Sequence, residues 1–552
     1  MSLAATPVPV TFLPSGREGT CGRDETLLEA ARRLGVRVAS SCGGLGRCDS
    51  CTVRIEGAVP TPGAEDRELF DTEELETGWR RACTVRPSGP CVVHVPARSA
   101  AASVVRGQEG MRSAVRIEDP VVLLDAAGLW RRRDGSRVGE GERPLGLAVD
   151  VGTTNLAAAL VDLVSGEILA TAAMENPQGA WGADVISRLE QALGGEAPRR
   201  ELQQAVLGAI DDLATELAAG RPETIVEAAL VGNTVMQHLL LGLPVEGLAR
   251  APYRPEVLEA VDRAASDLGL SLGPGARVHF GPNVGGFVGS DHVAALLETL
   301  ANPPAGSWAL VDIGTNTEIT LFSGGRQTAV SCASGPAFEG WKLTCGVKAG
   351  DGAIDRVRID GAEVHLGTIG GFHPIGLCGS GVLSLLAELR RTGALNARGA
   401  LSLSHPLVRE RGGEREFVLQ EERASGETAA RPIVFTQDDV RTIQLTKAAI
   451  RAGLDLLLAE HGLAEGEIGT ILVAGAFGLF LDVEAAQAIG LLPAIPPDRI
   501  VKVGNAAADG AMHLLACSAA RRRTGQIARE VKHLEPASAA GFQKAFLGRT
   551  AL

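Results

Sequence analysis

Three pairs of matched segments, in the same order, constrain this 552-residue chain more than any other feature. LAVDVGTTNLAAALVD begins at Leu147 and ALVDIGTNTEITLF at Ala309. In each, apolar β-formers lead to Asp-x-Gly-Thr, with the aspartates at Asp150 and Asp312. AALVGNTVMQHLLLG from Ala228 and ILVAGAFGLFLDVEAAQAIG from Ile471 each read as strand, glycine turn and helix. NVGGFVGSDHVAALL from Asn283 parallels NAAADGAMHLL from Asn505, small residues followed by a helix. A single Asp-x-Gly-Thr reads equally well as a strand ending in a tight turn that its aspartate caps. A pair inside a longer repeat predicts a duplicated domain. From Leu145 onward, strand-like runs alternate with amphipathic helices, the pattern of an α/β domain.

This duplication resembles the superfamily of acetate kinase, sugar kinases, Hsp70 and actin, in which two halves face each other across a nucleotide cleft. The resemblance implies an ATPase domain over 144–552, in halves of about 144–305 and 306–552, with the two Asp-x-Gly-Thr hairpins as phosphate loops. The residue types suit that role. Gly152 and Gly314 permit close backbone approach, so that amides can donate to phosphate oxygens. Thr153, Thr154, Thr315 and Asn316 add hydroxyl and amide donors. Asp150 and Asp312, the expected catalytic pair, are hard carboxylates suited to a hydrated Mg²⁺ that bridges phosphates. The resemblance also places Gly475 to Gly478 beside the adenosine. A Gly-Gly pair followed by Ser or Thr is usual there, and this chain has Gly475-Ala476-Phe477. ASGPAFEG from Ala333 and GLCGSG from Gly376 read either as anion-binding loops or as tight packing. Glu318 reads as a solvated strand residue before it reads as a group that polarises water. Asp184 and Asp291 read as solvated or capping residues before they read as a base.

Four cysteines set the expectation for the N-terminal region. Cys42, Cys48 and Cys51 lie in SSCGGLGRCDSC, a C-x5-C-x2-C spacing, and Cys83 follows in RACTV. Three thiolates on a glycine-rich loop with a distant fourth are the arrangement that wraps a [2Fe–2S] cluster, with one residue more in the first gap than the plant-type spacing. Zinc is the alternative, but only Cys48 and Cys51 make the short-spaced pair that zinc sites favour. Disulfides would suit a secreted chain, and the sequence reads as having no signal peptide. Val8, Val10 and Phe12 alternate as in a strand; Leu27, Leu28, Ala31 and Leu34 share a helical face ending at Gly35. Residues 52–55 and 92–95 read as strands. Region 1–98 resembles the β-grasp [2Fe–2S] ferredoxins of adrenodoxin and bacterial type, whose four ligands would be these cysteines. Cys21, Cys91, Cys332, Cys345, Cys378 and Cys517 stand off the pattern and read as small buried hydrophobes.

The expected fold class is therefore multidomain α+β and α/β: a β-grasp ferredoxin followed by a duplicated actin-like ATPase domain. Residues 99–143 join the two as a linker or short connecting unit. They begin small and polar and continue through Val121 to Leu124 and a charged stretch, WRRRDGSRVGEGER, that reads as a small unit or a hairpin. The charged interlude Val408 to Arg431 reads as a surface insertion or exposed hairpin. A net charge of −13 and a single tyrosine argue against nucleic acid and anionic membranes as partners. The longest apolar run, Ile471 to Leu481, is short and ends at Asp482, so no membrane span is expected and a cytoplasmic location is.

A ferredoxin and such an ATPase in one chain, in this order, resemble the reductive activators of corrinoid-dependent methyltransferases. The resemblance runs through the cysteine pattern, both phosphate loops, NPQGAWGADVISRL from Asn176, VGNTVMQHLLLG from Val231 and the GLCGSG loop. It implies ATP-dependent reduction of cob(II)alamin to cob(I)alamin, with a corrinoid protein or methyltransferase as partner and a reductase as electron donor; a homodimer is left open. Only a short stretch separates the ferredoxin from Leu145, so a middle domain between them is expected to be missing or truncated. The rival expectations are an ATP-dependent electron-donating activator of another metalloenzyme, a small-metabolite kinase with a redox-sensing ferredoxin, and an electron carrier with a vestigial ATPase fold.

Overall fold

The computed structural model describes residues 7–36, 38, 46, 51–96, 99, 110–138, 143–421 and 432–552. The N-terminal unit is a five-stranded sheet of β1 (Val8–Leu13), β2 (Arg17–Cys21), β3 (Thr52–Gly57), β4 (Trp79–Arg81) and β5 (Cys91–His94), in the order β2–β1–β5–β3–β4. β1 and β5 run parallel and the other pairs antiparallel. Val10 and Phe12 point inward, as their alternation requires, onto helix Leu27–Arg33. That helix starts on a Thr26–Glu29 capping box, and Gly35 follows its C-cap at a φ of +68°.

Residues 110–138 form a docked connecting unit. Its hairpin, β6 (Val122–Leu124) and β7 (Trp130–Arg132), brings Val121 and Val122 into one core with Val115, Val138 and the sheet residues Ala148, Ala159 and Val161. Arg132 Nε donates to Glu227 Oε2 at 2.7 Å, and Arg521 Nη2 reaches the other carboxylate oxygen at 3.1 Å. The polar run ending at Ser113 is anchored too. Arg112 N donates to Asp509 Oδ1 (3.0 Å), and Arg112 Nη1 lies 2.9 Å from Glu298 Oε2.

The first half of the duplicated region holds β8 (Leu145–Val151), β9 (Asn155–Asp162), β10 (Ile168–Glu175), β11 (Ile225–Gly232), β12 (Val261–Ala264) and β13 (Arg277–Phe280), in the order β10–β9–β8–β11–β13–β12. The second begins with β14 (Trp308–Ile313), β15 (Thr317–Ser323) and β16 (Arg326–Cys332). Two small sheets follow: β17 (Ala353–Asp360), β18 (Glu363–Thr368) and β19 (Gly376–Leu377), then β20 (Val408–Arg411), β21 (Glu414–Gln420) and β22 (Ile433–Thr436). β23 (Thr470–Ala474), β24 (Ile500–Gly504) and β25 (Lys532–His533) complete a sheet in the order β24–β23–β14–β15–β16–β25. With β8 set on β14, five strands coincide in order and direction: an antiparallel meander on one side and parallel strands on the other. The matched sequence segments are thus a matched topology.

The charged interlude is not wholly exposed. Phe417, Val418 and Leu419 of β21 are buried, because β21 is the central strand between β20 and β22, and Phe417 and Leu419 join the second-half core. Residues 422–431 lie outside the described residues. Helix Ala506–Ala516, which follows β24, packs on β8 and β11 of the first half and against helix Ser290–Ala301. The two helices cross closely: a Cβ on Gly510 would stand 2.3 Å from the Ala294 carbonyl oxygen.

Replacing Arg132 by Met should cost roughly 3 kcal/mol, because Glu227 (1% exposed) keeps Arg521 but loses its closer partner. Urea denaturation followed by tryptophan fluorescence checks this; an unchanged midpoint would show that the connecting unit is not held by that pair.

Candidate functional site

The two Asp-x-Gly-Thr hairpins meet between the halves of the duplicated region. β8 carries Asp150 and turns through Gly152–Thr154 into β9; β14 carries Asp312 and turns through Gly314–Asn316 into β15. Thr154 Oγ1 and Thr315 Oγ1 are 3.0 Å apart, so the loops touch. Both turns are tight. A Cβ on Gly152 would stand 2.6 Å from Asn155 O, and one on Gly314 3.2 Å from Asn316 O. Thr153 and Thr315 are buried; Thr154 and Asn316 are half-buried.

Each loop is braced from behind by a segment after the third strand of its meander. In the first half, Asn176 Nδ2 donates to Gly152 O (2.8 Å), Arg188 Nη2 to Thr153 O (2.5 Å) and Asn176 N to Thr154 O (2.8 Å). In the second, Ser334 Oγ donates to Gly314 O (3.2 Å) and Gly335 N to Thr315 O (2.8 Å). Both braces continue into a short 3₁₀ helix, Pro177–Ala180 and Pro336–Glu339. A planar trans peptide points its N–H opposite to its C=O. Pinning these carbonyls therefore turns the following amides, Thr153 and Thr154 in one loop and Thr315 and Asn316 in the other, away from the braces, where anions can be met. This gives NPQGAWGAD and ASGPAFEG one shared role. The sequence repeat missed it because the two segments share little beyond a proline.

Four carboxylates converge here. Asp150, Asp291 and Asp312 sit deep in the protein but keep part of their surface open; Glu318 is buried and accepts from Ser331 Oγ at 2.9 Å. Burial raises the Asp150 carboxyl to about 7, aided by the Asp312 charge and opposed by a hydrogen bond from Asn505. Burial alone raises Asp312 to about 6. Asp291 and Glu318 are raised as well, by burial first and then by the surrounding aspartates. Glu318 is thus not the solvated strand residue expected, and Asp291 belongs to the group. Asp184 does cap helix Val185–Ala192, accepting from Ser187 N at 2.9 Å, and lies 3.6 Å from Lys342. Among the described residues, no three acidic, histidine or cysteine side chains stand close enough to enclose a metal directly.

Gly475 stands against the second Asp-x-Gly-Thr loop. At a φ of +88°, a Cβ there would lie 2.8 Å from Asp312 Oδ1, and its N–H donates to Gly504 O at 3.1 Å. Gly478 is the buried residue within helix Ala476–Phe480, where a Cβ would meet Val473 at 2.8 Å. Phe477, in place of the usual Ser or Thr, stacks on Phe338 with ring centroids 5.1 Å apart. The GLCGSG loop resolves as packing: a Cβ on Gly379 would stand 1.9 Å from Phe338 O, and one on Gly381 2.0 Å from Ile354 O.

Of the four expected cluster ligands, Cys51 and Cys83 are described and buried in one core; Cys42 and Cys48 lie outside the described residues. Ala82 N donates to Cys51 O (2.9 Å), and Arg81 Nη1 to Gly46 O (2.6 Å), tying Cys51 and Gly46 to the end of β4 and the turn that carries Cys83. Arg81 Nε is buried and, among the described residues, has no hydrogen-bond partner. Two buried thiols beside an unsatisfied cationic donor fit an anionic iron–sulfur cluster. Of the other six cysteines, five are buried and Cys345 is half-buried.

Three family profiles match the chain in series: the 2Fe-2S iron-sulfur cluster binding domain over 10–88, the RACo middle region over 145–301, and the C-terminal ASKHA domain of RACo over 307–552. The corrinoid activation enzyme RamQ of Eubacterium limosum is 34% identical over 425 residues, 74% of this chain and 71% of RamQ. The chain belongs to the RACo family. A second member, the [Co(II) methylated amine-specific corrinoid protein] reductase of Methanosarcina barkeri, is 26% identical over 396 residues, 65% of this chain and 68% of its own length. A solved structure described as a reductive activator for corrinoid, iron-sulfur protein shares 29% identity, with a TM-score of 0.70 over 99% of this chain and 98% of its own. The expected loss of a middle domain is overturned. The RACo middle region is the first half of the duplicated domain, and the solved relative leaves almost nothing unmatched.

Asp312→Asn should raise the melting temperature of the ligand-free protein at pH 8 while abolishing ATP hydrolysis. An aspartate whose folded pKa is raised destabilises the fold when ionised, so the cost is present above about 6 and fades as pH falls from there toward the ordinary aspartate value of 3.8. Melts across pH 5–8 should show the gain shrinking at the acid end. Gly475→Ala, forced against Asp312 and into a left-handed backbone, should weaken ATP binding at least tenfold by calorimetry.

Proposed function

We propose that this RACo-family chain is an ATP-dependent reductive activator of a corrinoid protein, returning cob(II)alamin to cob(I)alamin. The observation that carries this reading is the union, in one chain, of a cysteine-bearing ferredoxin sheet with a duplicated domain whose two braced loops touch at Thr154 and Thr315. Thr153, Thr154, Thr315 and Asn316 would hold the nucleotide phosphates. Asp150 and Asp312 would hold a hydrated Mg²⁺, and Gly475 and Gly478 would border the nucleoside. Asp291 and Glu318, whose carboxyls bind protons more tightly than usual, are the groups fitted to take one from an attacking water. Cys42, Cys48, Cys51 and Cys83 would ligate a [2Fe–2S] cluster, which when bound supplies a one-electron carrier recharged by an external reductase. Among the described residues, no helix is long and apolar enough to cross a membrane, in keeping with cytoplasmic work.

The energetics favour coupling. Plant-type clusters lie near −400 mV, and a deficit of ~100 mV for one electron amounts to about 2.3 kcal/mol. Binding a nucleotide at micromolar affinity releases about 8 kcal/mol, enough to hold a partner's cobalt in a more reducible state. With a corrinoid protein and a chemical reductant, visible spectroscopy should show cob(I)alamin forming only with Mg-ATP. Cys83→Ser should abolish it and leave ATP binding intact. Equal rates with and without Mg-ATP would overturn the coupling.

A further inference from the structure

The two braces differ in charge. Behind the second phosphate loop stands a carboxylate: Thr315 Oγ1 donates to Glu339 Oε1 at 2.7 Å. Behind the first stands Arg188, 1% exposed, on helix Val185–Ala192. Its Nη2 donates to Thr153 O (2.5 Å), its Nε to Gly182 O (2.9 Å) and its Nη1 to Gln178 Oε1 (3.3 Å), with Met236 Sδ also at 3.3 Å. Every one of these partners is formally neutral. Asp184 and Glu339 are the carboxylates whose fields reach it, yet among the described residues none makes an ion pair with it. A buried cation held only by neutral acceptors carries a desolvation penalty that a nearby anion offsets. One peptide group, Thr153–Thr154, separates the guanidinium from the side of the loop where the Thr154 amide points.

We propose that Arg188 is a positioning residue for the nucleotide phosphates: a buried counter-charge that fixes the Thr153 carbonyl and, through that peptide, favours an anion on the far side of the loop. This rests on the reading of the cleft as an ATP site. Burial holds the guanidinium tightly enough that its charge faces the loop rather than water. The role requires the planar fork as well as the charge, since three of its nitrogens are used at once.

The test compares binding of Mg-ATP with binding of adenosine, by calorimetry on the full chain, in wild type, Arg188→Lys and Arg188→Gln. Adenosine lacks phosphate, so its affinity should stay within twofold of wild type in all folded variants. ATP affinity should fall at least tenfold in R188Q and by a smaller factor in R188K, which retains charge without the fork. Equal losses for ATP and adenosine would show a merely structural role and overturn the proposal. So would unchanged ATP affinity in R188Q, equal ATP losses in the two variants, or failure of both to fold. Wild type that binds adenosine but not ATP would instead overturn the reading of the cleft itself.

Discussion

The close crossing of helices Ser290–Ala301 and Ala506–Ala516 is the constraint on which the ATPase region depends. One helix follows the last parallel strands of the first half and the other follows β24 of the second, and each brings a polar group at its N-terminal end to the same place. Asp291 enters the carboxylate group; Asn505, the N-cap of the second helix, bonds Asp150 of the other half. That approach is open only to small residues. Gly510 lies against the Ala294 backbone, and Gly146 of β8 leaves room for Leu515. With bulkier residues at the crossing the two halves would stand apart, and the loops at Thr154 and Thr315 would not meet.

The carboxylate group works against that constraint. Four acids are gathered where burial disfavours charge, and the fold tolerates them by letting their proton affinity rise. Under the proposed function, a hydrated Mg²⁺ with phosphates would reverse the balance, since the ionised form would then have partners. Local destabilisation of this kind is common where a site is built for a ligand rather than for the empty state.

Much of this was legible in the sequence. The Asp-x-Gly-Thr hairpins repeat with their flanking strands, so pattern alone locates Asp150 and Asp312 and predicts the matched sheets. The braces were not legible. Arg188 looks like any arginine on an amphipathic helix, and nothing within its own helix reveals that it reaches back to Thr153. Asn176 and Ser334 do the same work with different side chains, which sequence comparison of the halves cannot equate. Phe417 sits among charged residues, and only the pairing of β21 between two neighbours turns that side inward. Glu318 was misread for a similar reason: its strand is covered on both faces, so alternation no longer separates core from solvent.

The anchoring of Gly110 to Ser113 fixes a radius. Gly110 lies against Gly504, beside Asn505, which bonds Asp150, so the covalent origin of the ferredoxin's attachment is at the edge of the carboxylate group. The chain joining Pro96 to that point is residues 97–109, which at full stretch reach roughly 45 Å. That length is an upper bound on the separation of Pro96 and Gly110, and so limits how far from that point the ferredoxin sheet, and any acceptor it serves, can stand. The geometry makes the ATPase domain the fixed point from which the distance of electron delivery is measured.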